Sequence, residues 1–195
     1  MSAPSGAGKT TIIRRIMADN PKLAFSVSTT TRSKRRGEVE GVSYYYTDHA
    51  TFEKMIAAGE FVEWAKVHSN YYGTTKKEVD RIKAAGKIPV FDVDVQGARN
   101  LRASLEDTVL LFIMPPSIET LAERLRMRNT ESEEELQIRI NNAIKEMREY
   151  RNYDYFVIND NLEEAIDDVR SVIRAEMLKH NIFEMKVDSI LEGSR

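Results

Sequence analysis

Cysteine is absent from all 195 residues, which excludes a disulfide scaffold, a thiolate zinc site and a cysteine nucleophile. A surplus of one charge is absent too: 29 Lys and Arg stand against 31 Asp and Glu, a formal net charge of −2. That balance argues against a nucleic-acid coat or a polybasic membrane protein, while leaving local patches open. No apolar run approaches the roughly 20 residues needed to cross a bilayer. The first residues, Met-Ser-Ala-Pro-Ser-Gly, hold no apolar segment of the signal-peptide kind. There is no internal repeat and no low-complexity tract. The three histidines, His49, His68 and His180, form no recognisable metal set. What is present is ordinary for a globular chain, 42% hydrophobic and 31% charged, with length for a sizeable core in one or two small domains. The expectation is a soluble cytoplasmic protein.

Short β-type runs occur at Ala24–Ser28, Val42–Tyr46, Phe61–Val67, Ile88–Val93, Thr108–Met114 and Tyr155–Ile158. Helical patterns with start and stop signals lie between them, at Lys9–Ala18, Ala50–Ala58, Lys76–Ala85 and Ser117–Arg128. Two later helices are the clearest. Ser132 and Glu135 have capping-box spacing ahead of Leu136, Ile140, Ala143, Ile144 and Met147, and Leu162, Ala165, Ile166, Val169, Val172 and Ile173 repeat at helical intervals. The runs at 88–93 and 108–114 are apolar on both faces, as buried parallel strands are. Strand–helix alternation therefore predicts an α/β fold, a parallel sheet flanked by helices. Residues 33–72 break that rhythm with strand-like runs and one short helix, and read as an inserted antiparallel or mixed lobe. The core then takes 1–32 and 73–195.

Ala3-Pro4-Ser5-Gly6-Ala7-Gly8-Lys9-Thr10 nearly matches the phosphate-loop pattern G-x-x-x-x-G-K-[ST]. Gly6 and Gly8 let the backbone curl so that its N–H groups face a polyphosphate. Lys9 would then reach the β- and γ-phosphates, and the Thr10 hydroxyl would ligate Mg²⁺. A helix starting near Lys9 adds its positive end to the same site, with Thr11 in its first turn. Pro4, Ser5, Ala7 and Thr11 complete the proposed ATP-binding run. Ala3 stands where the pattern has its first glycine. A phosphate loop should also follow a buried strand, and with only two residues ahead of Ala3 the expectation is that this strand is missing.

A second basic cluster follows, with Arg32 and Arg35 three apart and Tyr44 beyond two glycines. Guanidinium forks and tyrosine hydroxyls suit a phosphate monoester dianion. Alone, such a cluster is more simply a solvated basic turn; beside a phosphate loop it suggests transfer between two phosphate groups. Asp92 and Asp94 end an apolar strand on one face, where carboxylates are costly unless they meet cations or donors. They fall at the ligand crevice of an open α/β sheet, and helix capping is the plainer alternative. Asp92 is assigned to the Mg²⁺ and phosphate-loop side.

Thr30-Thr31-Arg32, Arg35, Gly37-Glu38, Gly41 and Tyr44 resemble the phosphate-binding segment of guanylate kinases. Phe61-Val62-Glu63-Trp64-Ala65 and Asn70-Tyr71-Tyr72-Gly73-Thr74 are similar to that family's nucleotide-binding segment. Phe91 to Gly97, Pro115-Pro116-Ser117, Arg124 to Arg128 and Val157-Ile158-Asn159-Asp160 extend the likeness over roughly residues 3 to 178. The resemblance implies an ATP:GMP phosphotransferase with Mg²⁺. Arg32, Arg35, Tyr44 and Tyr72 would bind the GMP phosphate, and Ser28, Glu63, Thr74 and Asp94 would contact guanine. It also implies a lid over about 124–139, with Arg124, Arg128 and Arg139 closing on the phosphates, Lys9 beneath them and Asn159 near the adenine. Arg126 reads as a surface residue. Met127 and Asn129 stand where the family commonly has glycine, and Lys34 where it often has proline.

Two rivals differ in class. A non-catalytic guanylate-kinase-like phosphopeptide-binding module would keep Arg32, Arg35 and Tyr44 while losing the ATP apparatus; Gly8-Lys9-Thr10 argues against it. A kinase of another nucleoside monophosphate is disfavoured by Glu63 and Asp94. ATP and GMP are the expected partners, with no nucleic acid and no membrane. The tail from His180 to Arg195 could pack as a short helix or join a second subunit in a homodimer.

Overall fold

The computed structural model describes residues 1–67, 69–127, 132–179 and 191. Its core is a parallel sheet. β1 (Leu23–Phe25) pairs parallel with β6 (Ile88–Val90), and β7 (Leu111–Met114) pairs parallel with β8 (Tyr155–Ile158). The two pairs are joined through the first two residues. Ser2 N donates to the Leu111 carbonyl at 2.9 Å, and Ile113 N donates to Ser2 O at 2.8 Å. On the other side Val93 N donates to Met1 O, and Met1 N lies 2.9 Å from the Phe91 carbonyl. In line with the expectation, no strand precedes the phosphate loop among the described residues; in its place Ser2 makes a single parallel bridge with Phe112, and Met1 and Ser2 bond to the stretches on both sides before the chain enters the loop.

Helices cover this sheet. α1 (Lys9–Asp19) and α7 (Leu162–Glu176) bury Ile12, Ile16, Ala165, Ile166 and Val169 against Leu111, Ile113 and Val157. α3 (Lys76–Ala84) is capped by the Thr75 hydroxyl. α4 (Val95–Ser104), which the sequence pattern does not reveal, is capped by Asp94 through Gly97 N at 2.7 Å. α5 (Ile118–Arg126) and α6 (Glu133–Met147) form a separate pair around Leu121, Leu125, Leu136, Ile140 and Ala143. Ser117 caps α5, and α6 carries the capping box that Ser132 and Glu135 predict.

The lobe is a four-stranded mixed sheet in the order β3 (Tyr45–Tyr46), β2 (Thr29–Thr30), β5 (Asn70–Thr75), β4 (Phe61–Val67). β2 runs parallel to β3, while β5 runs antiparallel to both β2 and β4. α2 (His49–Ala57), capped by Asp48, packs Phe52 on Phe61 and Tyr71. This sheet extends past residues 33–72 on both sides, to Thr29 and Thr75. Four expected strands are shorter than the apolar runs that announce them: Leu23–Phe25, Tyr45–Tyr46, Ile88–Val90 and Leu111–Met114. An apolar run marks burial, and only part of each run finds a backbone partner in a named strand. Among the described residues no helix is long and apolar enough to cross a membrane.

Candidate active site

The glycine-rich turn lies between the bridge at Ser2 and α1. Gly6 and Gly8 have φ of 92° and 94°, a region open to glycine and strained for other residues. A Cβ on Gly8 would stand 2.3 Å from Asn159 Nδ2. That amide is itself held: Asn159 Nδ2 donates to the Ala7 carbonyl at 2.7 Å, and Asn159 N donates to Met114 O. Asn159, just past the end of β8, therefore props the loop as well as lining a cavity beside it. α1 begins at Gly8 without a side-chain cap, so its first N–H groups and its positive end face the loop. The side chain of Ala7 is fully buried in the core, which leaves only its backbone for a ligand; Pro4 is buried, while Ser5, Thr10 and Thr11 are exposed.

Two cavities flank this loop. One, of about 280 Å³, is lined by Gly6, Gly8, Thr11, Arg124, Met127 and Asn159. Arg124 Nη2 donates to the Asn159 carbonyl at 3.1 Å, while its Nη1 is buried without a partner. A buried guanidinium with an unmatched donor is costly unless an acceptor comes to it, which suits an anionic ligand. Arg139, from α6, donates to Ser5 Oγ at 2.9 Å, bringing the α5–α6 pair to the loop. Arg126 pairs with Glu133 at the surface. Arg128 and Asn129 lie outside the described residues, as do His68 and the tail from His180 onward apart from Leu191, which is exposed.

The other cavity, of about 490 Å³, is lined by Ser5, Lys9, Ser28, Tyr44, Glu63, Tyr72, Asp92 and Asp94 among others. Residues from the core and from the lobe thus meet there. At its outer end Arg32 lies over the Tyr44 ring at 5.3 Å, and Tyr72 meets that ring edge-on with centroids 6.0 Å apart. Arg32 is gripped by Glu38 (2.7 and 3.2 Å), which also accepts from Tyr46 OH and Arg35 N, each at 2.7 Å. The Arg32 guanidinium, with those donors, holds the Glu38 carboxyl well down, to about 2. Glu38 was legible only as part of the motif; its work as the clamp on Arg32 appears with the geometry. Arg35 is exposed beside it.

At the inner end Glu63 is 5% exposed. Burial lifts its carboxyl to about 7, with the Asp94 charge nearby adding to the rise. A Cβ placed on Gly97 would lie 3.2 Å from Glu63 Oε2 and 3.3 Å from Asp94 Oδ1, so α4 comes close to both carboxylates. Thr74 Oγ1, buried beside them, makes no hydrogen bond of normal geometry. Asp94 has two duties, since one of its oxygens caps α4 while the residue lines the cavity. The capping alternative raised by the sequence is thus realised for Asp94. Asp92 is not a cap: it lies 2.5 Å from Lys9 Nζ, which also donates to the Val93 carbonyl at 3.0 Å. Both aspartates lie beyond β6, on the extended stretch bonded to Met1.

Among the described residues no group of three or more His, Cys, Asp or Glu could hold a metal. A single carboxylate such as Asp92, which lines the larger cavity, nevertheless suits Mg²⁺, which keeps waters and substrate phosphates rather than an all-protein cage.

A glycine-rich turn that follows a parallel bridge in the sheet and leads into a helix with no side-chain cap, with a lysine at the helix start, defines a P-loop α/β protein; the mixed four-stranded sheet lines a second pocket. The family model described as guanylate kinase matches residues 1–176. Guanylate kinase of Carboxydothermus hydrogenoformans is 47% identical over 99% of this chain and 94% of its own length. That of Nitratidesulfovibrio vulgaris is 46% identical over 99% and 93%. Among solved structures, guanylate kinase from Anaplasma phagocytophilum aligns with a TM-score of 0.72 at 31% identity, covering 90% of this chain and 84% of that one. The chain belongs to the guanylate kinase family.

Proposed function

We propose that the protein transfers the γ-phosphoryl group of ATP to GMP, giving ADP and GDP. The observation that carries this reading is the pair of cavities separated by one phosphate loop: the larger joins Tyr44 and Tyr72, with Arg32 stacked over Tyr44, to a buried Glu63 and a half-buried Asp94. Guanine offers N1–H and N2–H₂ as adjacent donors, which the Glu63 carboxylate accepts together. Adenine, with a bare N1 and no N2 amine, would leave that buried carboxylate unpaired, at about 1–3 kcal/mol or more. Ser28, Thr74 and Asp94 complete the base pocket, and Arg32, Arg35, Tyr44 and Tyr72 hold the phosphate.

The nucleophile is an oxygen of the GMP phosphate, whose second pKa of about 6 leaves it mostly a dianion at pH 7. No general base is needed. That oxygen bonds to the γ-phosphorus as the bond to the β–γ bridging oxygen breaks, and ADP leaves with the electron pair. The protein's part is alignment, charge neutralisation and exclusion of water. Lys9, released from Asp92 towards the phosphates, and Arg124, Arg128 and Arg139 stabilise the charge in transit. Thr10 and Asp92 are the residues we assign to Mg²⁺, which would supply further positive charge against the transferring phosphoryl group when bound with ATP. Closure of lobe and lid before transfer keeps the γ-phosphoryl group from water. We assign the protein to the cytoplasm, where both substrates are made and used.

Arg35→Ala tests the division into two sites. Loss of one charged contact raises KM for GMP by about 10- to 100-fold, with KM for ATP within twofold. A rise in KM for ATP alone would mean the two sites are interchanged.

A further inference from the structure

Glu78 is nearly fully buried, 3% exposed, although the Arg81 side chain that it pairs with is more than half exposed. A carboxylate serving only that ion pair would gain little and would stand in water with its partner. Its position points elsewhere. Glu78 is the third residue of α3, behind the Thr75 cap, where a capping box would send its carboxylate back to the cap N–H. Instead Oε1 accepts from Val27 N at 3.0 Å, a residue 51 positions earlier, while Arg81 Nη2 and Nε donate to Oε1 and Oε2 at 2.8 Å each. The Tyr45 hydroxyl lies 3.5 Å from Oε2. Burial alone would raise the Glu78 carboxyl, but Arg81 and the Val27 N–H turn the shift downward, so it stays charged.

Val27 and Ser28 are the two residues of the joint between core and lobe after Ser26, which still bonds to Val90 of β6; β2 begins at Thr29. Ser28 O accepts from Tyr45 N at 2.9 Å, and Ser28 and Tyr44 both line the larger cavity. One buried carboxylate therefore fixes the joint on the core side and adjoins β3 on the lobe side. We propose that Glu78 is a positioning residue for the acceptor nucleotide, holding the Val27–Ser28 joint so that Ser28 and Tyr44 present themselves to GMP. This rests on the GMP-kinase reading and assigns to it a residue that touches neither nucleotide.

Steady-state kinetics of Glu78→Ala, Glu78→Gln and Arg81→Ala, with thermal midpoints of each, test it. Glu78→Ala leaves Val27 N without a partner and is expected to raise KM for GMP about tenfold or more, with kcat and KM for ATP within twofold. Glu78→Gln keeps a carbonyl acceptor and should recover most of the loss, and Arg81→Ala, which leaves the Val27 contact in place, should stay near wild type. If Glu78→Ala does not fold, Glu78→Asp replaces it: the charge stays but the acceptor withdraws by about 1.5 Å, and the same KM split is expected. A lowered midpoint with unchanged KM for GMP, or an equal KM shift in Arg81→Ala, overturns the proposal. Wild-type protein that fails to phosphorylate GMP would instead refute the underlying reading.

Discussion

At the scale of single residues, the chemistry turns on carboxylates held in unlike surroundings. Glu38 is kept ionised by Arg32, whereas burial brings Glu63 to about 7. Guanine donors need the ionised form of Glu63, so GMP binding expels a proton whenever the free enzyme holds one. KM for GMP should therefore rise as pH falls below about 7, by up to about tenfold per unit, and level off above it. Glu63→Gln should raise KM overall and remove this component, leaving only the shallower dependence from the GMP phosphate itself. A wild-type profile parallel to that of Glu63→Gln would contradict the assignment. Stability runs the other way. A carboxyl raised from 4.5 in the unfolded chain to about 7 when folded contributes stability that is present below pH 4.5 and is lost as pH rises through 7. Glu63 alone reads as an ordinary strand residue, and it gains meaning from the motif around it. Glu78 could not be weighed from sequence because it reaches a backbone N–H 51 residues away, and Glu38 because its nearby partners Arg32, Arg35 and Tyr46 converge only through the folding of the loop between them.

At the scale of elements, local signals were strongest where caps and periodicity agree. The capping box of α6, the Ser117 cap of α5 and the Asp48 cap of α2 all form as their residues suggest. α4 escaped because Gly97 and two arginines interrupt its apolar pattern, and two of its apolar residues, Ala98 and Leu101, find their partners in Val62 of β4, Val79 of α3, Val93 and Leu110. The phosphate loop was legible from glycines and a lysine, but its support was not. Asn159 holds Ala7 O from 152 residues away and closes off the space above Gly8. Gly8→Ala should therefore damage the site beyond the intrinsic cost of a non-glycine residue at φ 94°, about 1–3 kcal/mol. The expected result is a fall of about 10-fold or more in kcat/KM for ATP with a lowered thermal midpoint, while the fold remains by circular dichroism. Kinetics equal to wild type would mean that Asn159 does not hold the loop.

At the scale of the whole molecule, three packed units meet around one reaction path. Lobe and core share a cluster in which Val62 of β4 packs with Val79, Ala98 and Leu101, and Asn100 Nδ2 donates to the Trp64 carbonyl at 2.9 Å. The α5–α6 pair has its own core and reaches the phosphate loop through Arg139. Near-neutral net charge conceals this division, with arginines gathered at the proposed phosphate sites and buried carboxylates at the proposed base site. Alternation of strands and helices was enough to read the α/β core, because parallel strands buried on both faces leave continuous apolar runs. The lobe's four-strand order was not readable, since β2 and β3 are two residues each and owe their pairing to distant partners. The most direct test of the central claim is a steady-state assay of nucleoside diphosphate formation from Mg-ATP with GMP, AMP, CMP and UMP as acceptors. Preference for GMP by about 100-fold or more in kcat/KM is the result the Glu63–Asp94 pocket predicts; equal turnover of AMP would contradict it.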